Sequence, residues 1–143
     1  MPNNGSGTQT DPIIVTCLVA FDYHSNVTLF MSPSMIDLSQ FGPDNPNADN
    51  MAYISFRLQQ LSNVPSPATF STQSPQYGLN ITRRNNSNNP LPFTLTRVSD
   101  TQLDVVDNDK GPKGNGVLYD YTLTVNYNNT TLTFDPIIKN RGN

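Results

Sequence analysis

The chain has 143 residues, a mass of 15.8 kDa, 13% charged side chains and a net charge of −3, so it is sized for one domain and carries about half the usual ~25% charge. All 11 acidic residues are Asp, Glu is absent and only four Ala occur, which excludes a helical bundle or coiled coil; one Cys and one His exclude an intrachain disulfide framework and a His-rich metal site. With a pI near 4.7 the chain lacks the basic face that nucleic-acid binding needs.

Residues 1–10 are small, polar and aperiodic, and read as a flexible arm. They hold neither a basic n-region nor an apolar h-region, so a soluble cytoplasmic protein is expected, with Cys17 a reduced core thiol. Ile13 to Phe21 is apolar on both faces, the mark of a central strand, and is too short to span a bilayer. Asp22 to Asn26 turns the chain into Val27–Met31, which closes a first hairpin. Residues 32–50 read as irregular, with a short helical turn over Met35–Leu38 capped by Ser34. Alternation resumes from Met51 to Leu61, with Ala52, Ile54, Phe56 and Leu58 on one face and Met51, Tyr53, Ser55 and Arg57 on the other. Ala68–Phe70 suits a short edge strand after Pro65 and Pro67, and Tyr77–Thr82 another strand.

The last third alternates most clearly. Phe93–Val98 and Gln102–Val106 flank a Ser-Asp turn, and Asp107 to Gly116 is a loop. Val117 to Tyr127 is the longest alternating run, and Asn128-Asn129 supplies a two-residue turn into Thr130–Phe134. Together these elements predict an all-β fold: a single antiparallel β-sandwich, Ig-like or jelly-roll-like, of eight or nine strands over residues 11–143.

The catalytic inventory is poor. His24 is the only histidine, so any Ser–His–Asp or Cys–His mechanism has to use it, and its place beside a turn reads as ordinary. Asp107 and Asp109 match the first two ligands of a calcium loop, but Gly111 comes one place early and no Glu follows at the twelfth position. Asp44 and Asp49 form a second acidic loop. These four Asp residues are the candidate ligands if calcium is bound; otherwise they shape turns, and no other cofactor is expected. Tyr119, Tyr121 and Tyr127 share a face with Leu123 and Val125, which suits core packing over sugar stacking. Gly111 to Gly116 lacks phosphate-loop spacing. Five Asn-x-Ser/Thr triplets, beginning at Asn26, Asn80, Asn85, Asn128 and Asn129, follow from an Asn- and Thr-rich composition. The tetrapeptide Asp11–Ile14 recurs as Asp135–Ile138, beside a strand each time.

Charge is placed unevenly. Residues 1–56 hold no Lys or Arg, and every basic residue lies from Arg57 onward. The run Tyr119-Asp120-Tyr121-Thr122-Leu123-Thr124-Val125, followed by Phe134-Asp135-Pro136-Ile137-Ile138-Lys139-Asn140, resembles the ending of the small bacterial DP-EP family of β proteins. That resemblance covers the last third of the chain. It implies a small β-sandwich from a bacterium and brings no catalytic residues with it. The expected function is a non-enzymatic structural or interaction module that self-associates into a homo-oligomer, since little repulsion opposes packing of so weakly charged a surface. The alternative is a calcium- or carbohydrate-binding module built on the Asp-rich loops.

Overall fold

The computed structural model describes residues 8–33, 52–83, 93–107 and 119–134. Nine strands occur there and no helix, hence none long and apolar enough to cross a membrane among the described residues. They are β1 (Ile13–Phe21), β2 (Val27–Ser32), β3 (Ala52–Gln60), β4 (Ala68–Phe70), β5 (Leu79–Arg83), β6 (Phe93–Ser99), β7 (Gln102–Asp107), β8 (Tyr119–Tyr127) and β9 (Thr130–Phe134). The expected strands therefore stand, most within a residue or two of their predicted ends. The helical turn expected over Met35–Leu38, arm residues 1–7 and the second tetrapeptide at 135–138 lie outside the described residues.

The larger sheet runs β2-β1-β3-β7-β6. β1 and β2 form the expected hairpin, with Leu18 opposite Phe30. Asp22 builds its turn: Oδ1 accepts the backbone N–H groups of His24 at 2.8 Å and Asn26 at 3.0 Å, and Oδ2 accepts the Thr28 hydroxyl at 3.2 Å. These bonds, that from Asn26 first, hold the carboxyl below its ordinary pKa. β1 is central, as its two apolar faces required, but its other neighbour corrects an expectation. β1 and β3 run parallel, Ile13 beside Ile54 and Val19 beside Gln60, so the fold is not wholly antiparallel. The physical reason is the path between β2 and β3. A parallel pair needs a crossover of about a dozen residues or more, and residues 22–51 supply it with β2 included.

The smaller sheet is organised by β8. β9 lies along one side of it through a hairpin whose turn residues Asn128 and Asn129 have φ of 49° and 63°, the left-handed conformation their composition predicts. On the other side β4 and β5 lie end to end: Phe70 pairs with Val125 and Leu79 with Leu123. The position between them is taken by Gly78, whose carbonyl accepts the Thr124 N–H at 2.9 Å. Gly78 has φ of +86°, and a Cβ there would collide with the Thr124 carbonyl oxygen, so only glycine fills the gap without strain.

Buried side chains from both sheets form one cluster, including Ile13, Val15, Cys17 and Leu103 from the larger and Phe70, Leu79, Leu123 and Val125 from the smaller. Phe56 of β3 meets Tyr121 of β8 edge to face, with ring centroids 6.1 Å apart. Tyr121 and Tyr127 are buried, as the core assignment of their face required. Two polar ties also join the sheets. The Gln60 amide donates to Ser66 O at 2.7 Å and accepts the Ala68 N–H at 2.9 Å, which fastens β3 to the entrance of β4. Arg97 Nη2 donates to Phe70 O at 3.1 Å and to Asp100 Oδ1 at 2.7 Å, while Phe70 N–H donates to Asp100 O at 2.8 Å. Among the described residues no strand pairing closes the two sheets into a barrel.

Candidate functional site

The core consumes several residues whose side chains are otherwise able to carry chemistry. Cys17 is fully buried, and loss of hydration pushes its thiol up to about 12, so it stays protonated and unreactive at neutral pH. Burial also pushes the Tyr121 hydroxyl above its ordinary range. His24 is exposed in the β1–β2 turn, its ring 4.0 Å from that of Tyr23. Of the candidate calcium ligands, Asp107 is not a loop residue: it ends β7, is 1% exposed, and is in register with Ala52 and Phe93. Asp44, Asp49 and Asp109 lie outside the described residues.

The outward face of the five-stranded sheet is where side chains gather without being spent on the core. Alternation gives it Ile14, Thr16, Leu18 and Ala20 from β1, and Thr28, Phe30 and Ser32 from β2. None of these is charged. Phe30 is 41% exposed beside a half-buried Leu18.

Farther across the same face the character changes to polar. β3 contributes Tyr53, Ser55 and Arg57, and β7 contributes Gln102, Asp104 and Val106. Register sets Ser55 opposite Asp104, Arg57 opposite Gln102, and Thr96 of β6 on the far side of Asp104. Ser55 is the keystone, only 2% exposed although it lies on the outward face. Its hydroxyl donates to Asp104 Oδ1 at 2.8 Å and accepts Arg57 Nε–H at 3.0 Å. Gln102 Nε2 also donates to Asp104 Oδ1, at 3.1 Å. One buried hydroxyl thus separates and positions a cation and an anion. Burying a hydroxyl is favourable only when both its donor and acceptor roles are met, as they are here.

Tyr53, Ser55, Arg57, Thr96, Asp104 and Val106 line a groove of about 260 Å³ that is rimmed by Gln9 and Pro12. The rim is ordered locally: Thr8 and Asp11 exchange backbone hydrogen bonds at 3.2 and 3.1 Å, which closes a turn over residues 8–11. A wider concavity of about 510 Å³ lies beside the β8–β9 turn, among Thr69, Asn126, Asn129 and Thr131, with no charged side chain in its lining.

The polar groove was not found from sequence. Alternation placed Tyr53, Ser55 and Arg57 on one outward face, but Ser55 and Asp104 are 49 positions apart and nothing local in either segment names the other. No family model matches the chain, and no curated protein matches it.

Proposed function

We propose that this chain is a non-enzymatic interaction module that associates with copies of itself, built as one β-sandwich from its two sheets. One observation carries the reading: the outward side of β1 and β2 is uncharged and sets an exposed Phe30 directly opposite Leu18. Sheets that end in water usually place charge at the margin to block contact with other copies. Here the edge strand β2 offers Phe30 between Thr28 and Ser32 in its place, with Ile14 and Leu18 of β1 next to it. A twofold arrangement would lay this patch against itself, so each Phe30 gains an apolar partner twice over. The low overall charge adds little repulsion. The one-cluster core shared by both sheets supports the sandwich.

Membership of the bacterial DP-EP group belongs to the same reading. Its motif residues Tyr119 to Val125 and Phe134 fall on β8 and β9, and residues 135–140 lie outside the described residues. So does a cytoplasmic setting, in which the buried free thiol of Cys17 stays reduced.

Sedimentation velocity tests self-association from about 1 μM to about 1 mM, the span of transient affinities. The expected result is a weight-average mass that rises above 15.8 kDa with concentration, and a Phe30→Asp chain that stays at that mass throughout. A wild-type chain that remains at monomer mass over the whole range overturns the proposal.

A further inference from the structure

We propose that the groove beside Ser55 is a binding site for a neutral glycan, taking one or two sugar rings. The inference is independent of self-association and uses the other half of the same sheet face. It begins with what Ser55 leaves unspent. Among the described residues, Arg57 commits only Nε and Asp104 only Oδ1, while both Nη groups of Arg57 and Oδ2 of Asp104 make no hydrogen bond. The site therefore presents fixed donors and a fixed acceptor, held in place by a hydroxyl that is itself buried, donating to one side chain and accepting from the other. This is a preorganised contact layer with its own supporting layer.

Charge then selects the ligand class. A phosphate or carboxylate drawn to Arg57 would lie against the Asp104 carboxylate, and a metal ion or amine drawn to Asp104 would lie against Arg57. The pair sums to zero and favours a neutral molecule whose polar groups both give and accept. Sugar hydroxyls do both, and neighbouring hydroxyls on one ring suit a donor and an acceptor set side by side. Thr96 adds a further hydroxyl of the same dual kind across the groove.

The walls supply the rest. Tyr53, Val106 and Pro12 give apolar surface, with Tyr53 and Val106 directly opposite each other in the β3–β7 register. A sugar ring carries C–H bonds on its faces and hydroxyls on its edge, so it can rest on the tyrosine side while its edge turns to Arg57 and Asp104. Size agrees. The polar set spans three strands, ~10 Å across, and two outward positions along β3 and β7, ~7 Å. A cavity of about 260 Å³ lies just under the usual range for drug-sized ligands and fits a ligand of one or two rings.

The test is a two-dimensional amide NMR titration of the full chain with maltose, cellobiose, lactose and chitobiose. At least one is expected to give saturable shifts centred on β3, β6 and β7, with a Kd of roughly 1 mM, the affinity that a ligand of this size reaches through few contacts. Asp104→Asn and Arg57→Lys should each weaken it ~10-fold or more, because each removes a charge-assisted or forked hydrogen bond. Thermal melts of both variants establish that they are folded when titrated. Phe30→Asp should leave the Kd unchanged, which separates this site from the self-association patch. The proposal fails if none of the four sugars saturates. It fails equally if the folded Asp104→Asn chain binds as tightly as wild type, or if acetate, phosphate or a short peptide occupies the groove where the sugars do not.

Discussion

Replacing Gly78 by alanine attacks the point at which β4, β5 and β8 meet. The wild-type residue holds φ of +86°, where an L side chain costs ~1–2 kcal/mol. The added methyl would also collide with the carbonyl oxygen of Thr124 and press on its carbonyl carbon at 3.3 Å. Both are backbone atoms of the central strand, so no rotamer change relieves the contact. The chain can escape only by drawing residue 78 away from β8, which breaks the 2.9 Å bond from Thr124 N–H to Gly78 O. An amide left without its partner adds ~1–3 kcal/mol. The sum is ~2–5 kcal/mol, a large share of the ~5–15 kcal/mol that holds a domain together. Urea unfolding followed by far-ultraviolet circular dichroism reads it directly, since the chain has no Trp to report by fluorescence. With a slope of ~2 kcal/mol/M, the midpoint should fall by ~1–2.5 M. Gly78→Asn should fall between wild type and alanine, because Asn tolerates the left-handed conformation but still brings a Cβ. A Gly78→Ala midpoint within ~0.3 M of wild type would refute the reasoning, and with it the account of how β4 and β5 share one side of β8.

Two further outcomes follow from the core and its ties. Cys17 should resist a thiol reagent such as dithionitrobenzoate at pH 8 in the native protein and react at once in urea; burial raises its pKa from an ordinary 9.0 to about 12, so it binds more protons folded than unfolded between those values, and stability should decline as pH rises from about 9 toward 12. Cys17→Ala should flatten that alkaline decline, and equal slopes for the two chains would contradict the assignment. Gln60→Leu keeps the bulk of the side chain but loses both amide bonds to the β4 entrance, and should cost ~1–3 kcal/mol by the same urea assay, with no loss expected if Ser66 O and Ala68 N–H find water instead.

Local signals in the chain reach a long way into this fold. Two-residue alternation marked β3 and β8 with their apolar faces, apolarity on both faces marked β1 as central, and the preference of Asn for the left-handed region marked the β8–β9 turn. Alternation says which way a side chain points, and nothing about which strand lies alongside. The parallel placement of β1 and β3, and the end-to-end placement of β4 and β5 on β8, depend on the energetics of the whole assembly and leave no mark on any short window. The groove was hidden for the same reason. Ser55 reads as an ordinary outward serine until β7 is set beside β3, and only then does its hydroxyl acquire Asp104. The Asp bias was legible mainly as turn chemistry, and Asp22 shows it at work, with one carboxylate closing the first hairpin through three hydrogen bonds.

The central place of β8 also orders events in time. Among the described residues β4, β5 and β9 each pair with β8 and with no other strand, so the smaller sheet has a single hub. During synthesis β4 and β5, at 68–70 and 79–83, emerge well before residues 119–127. Until those residues leave the ribosome, Phe70 and Leu79 lack the strand they pair with, Val125 and Leu123 being their partners in β8. The larger sheet has no such delay after β7 emerges. The strand pairing of the smaller sheet thus depends on a single nine-residue strand that comes late in the chain, while β1, β2, β3, β6 and β7 of the larger sheet all precede it.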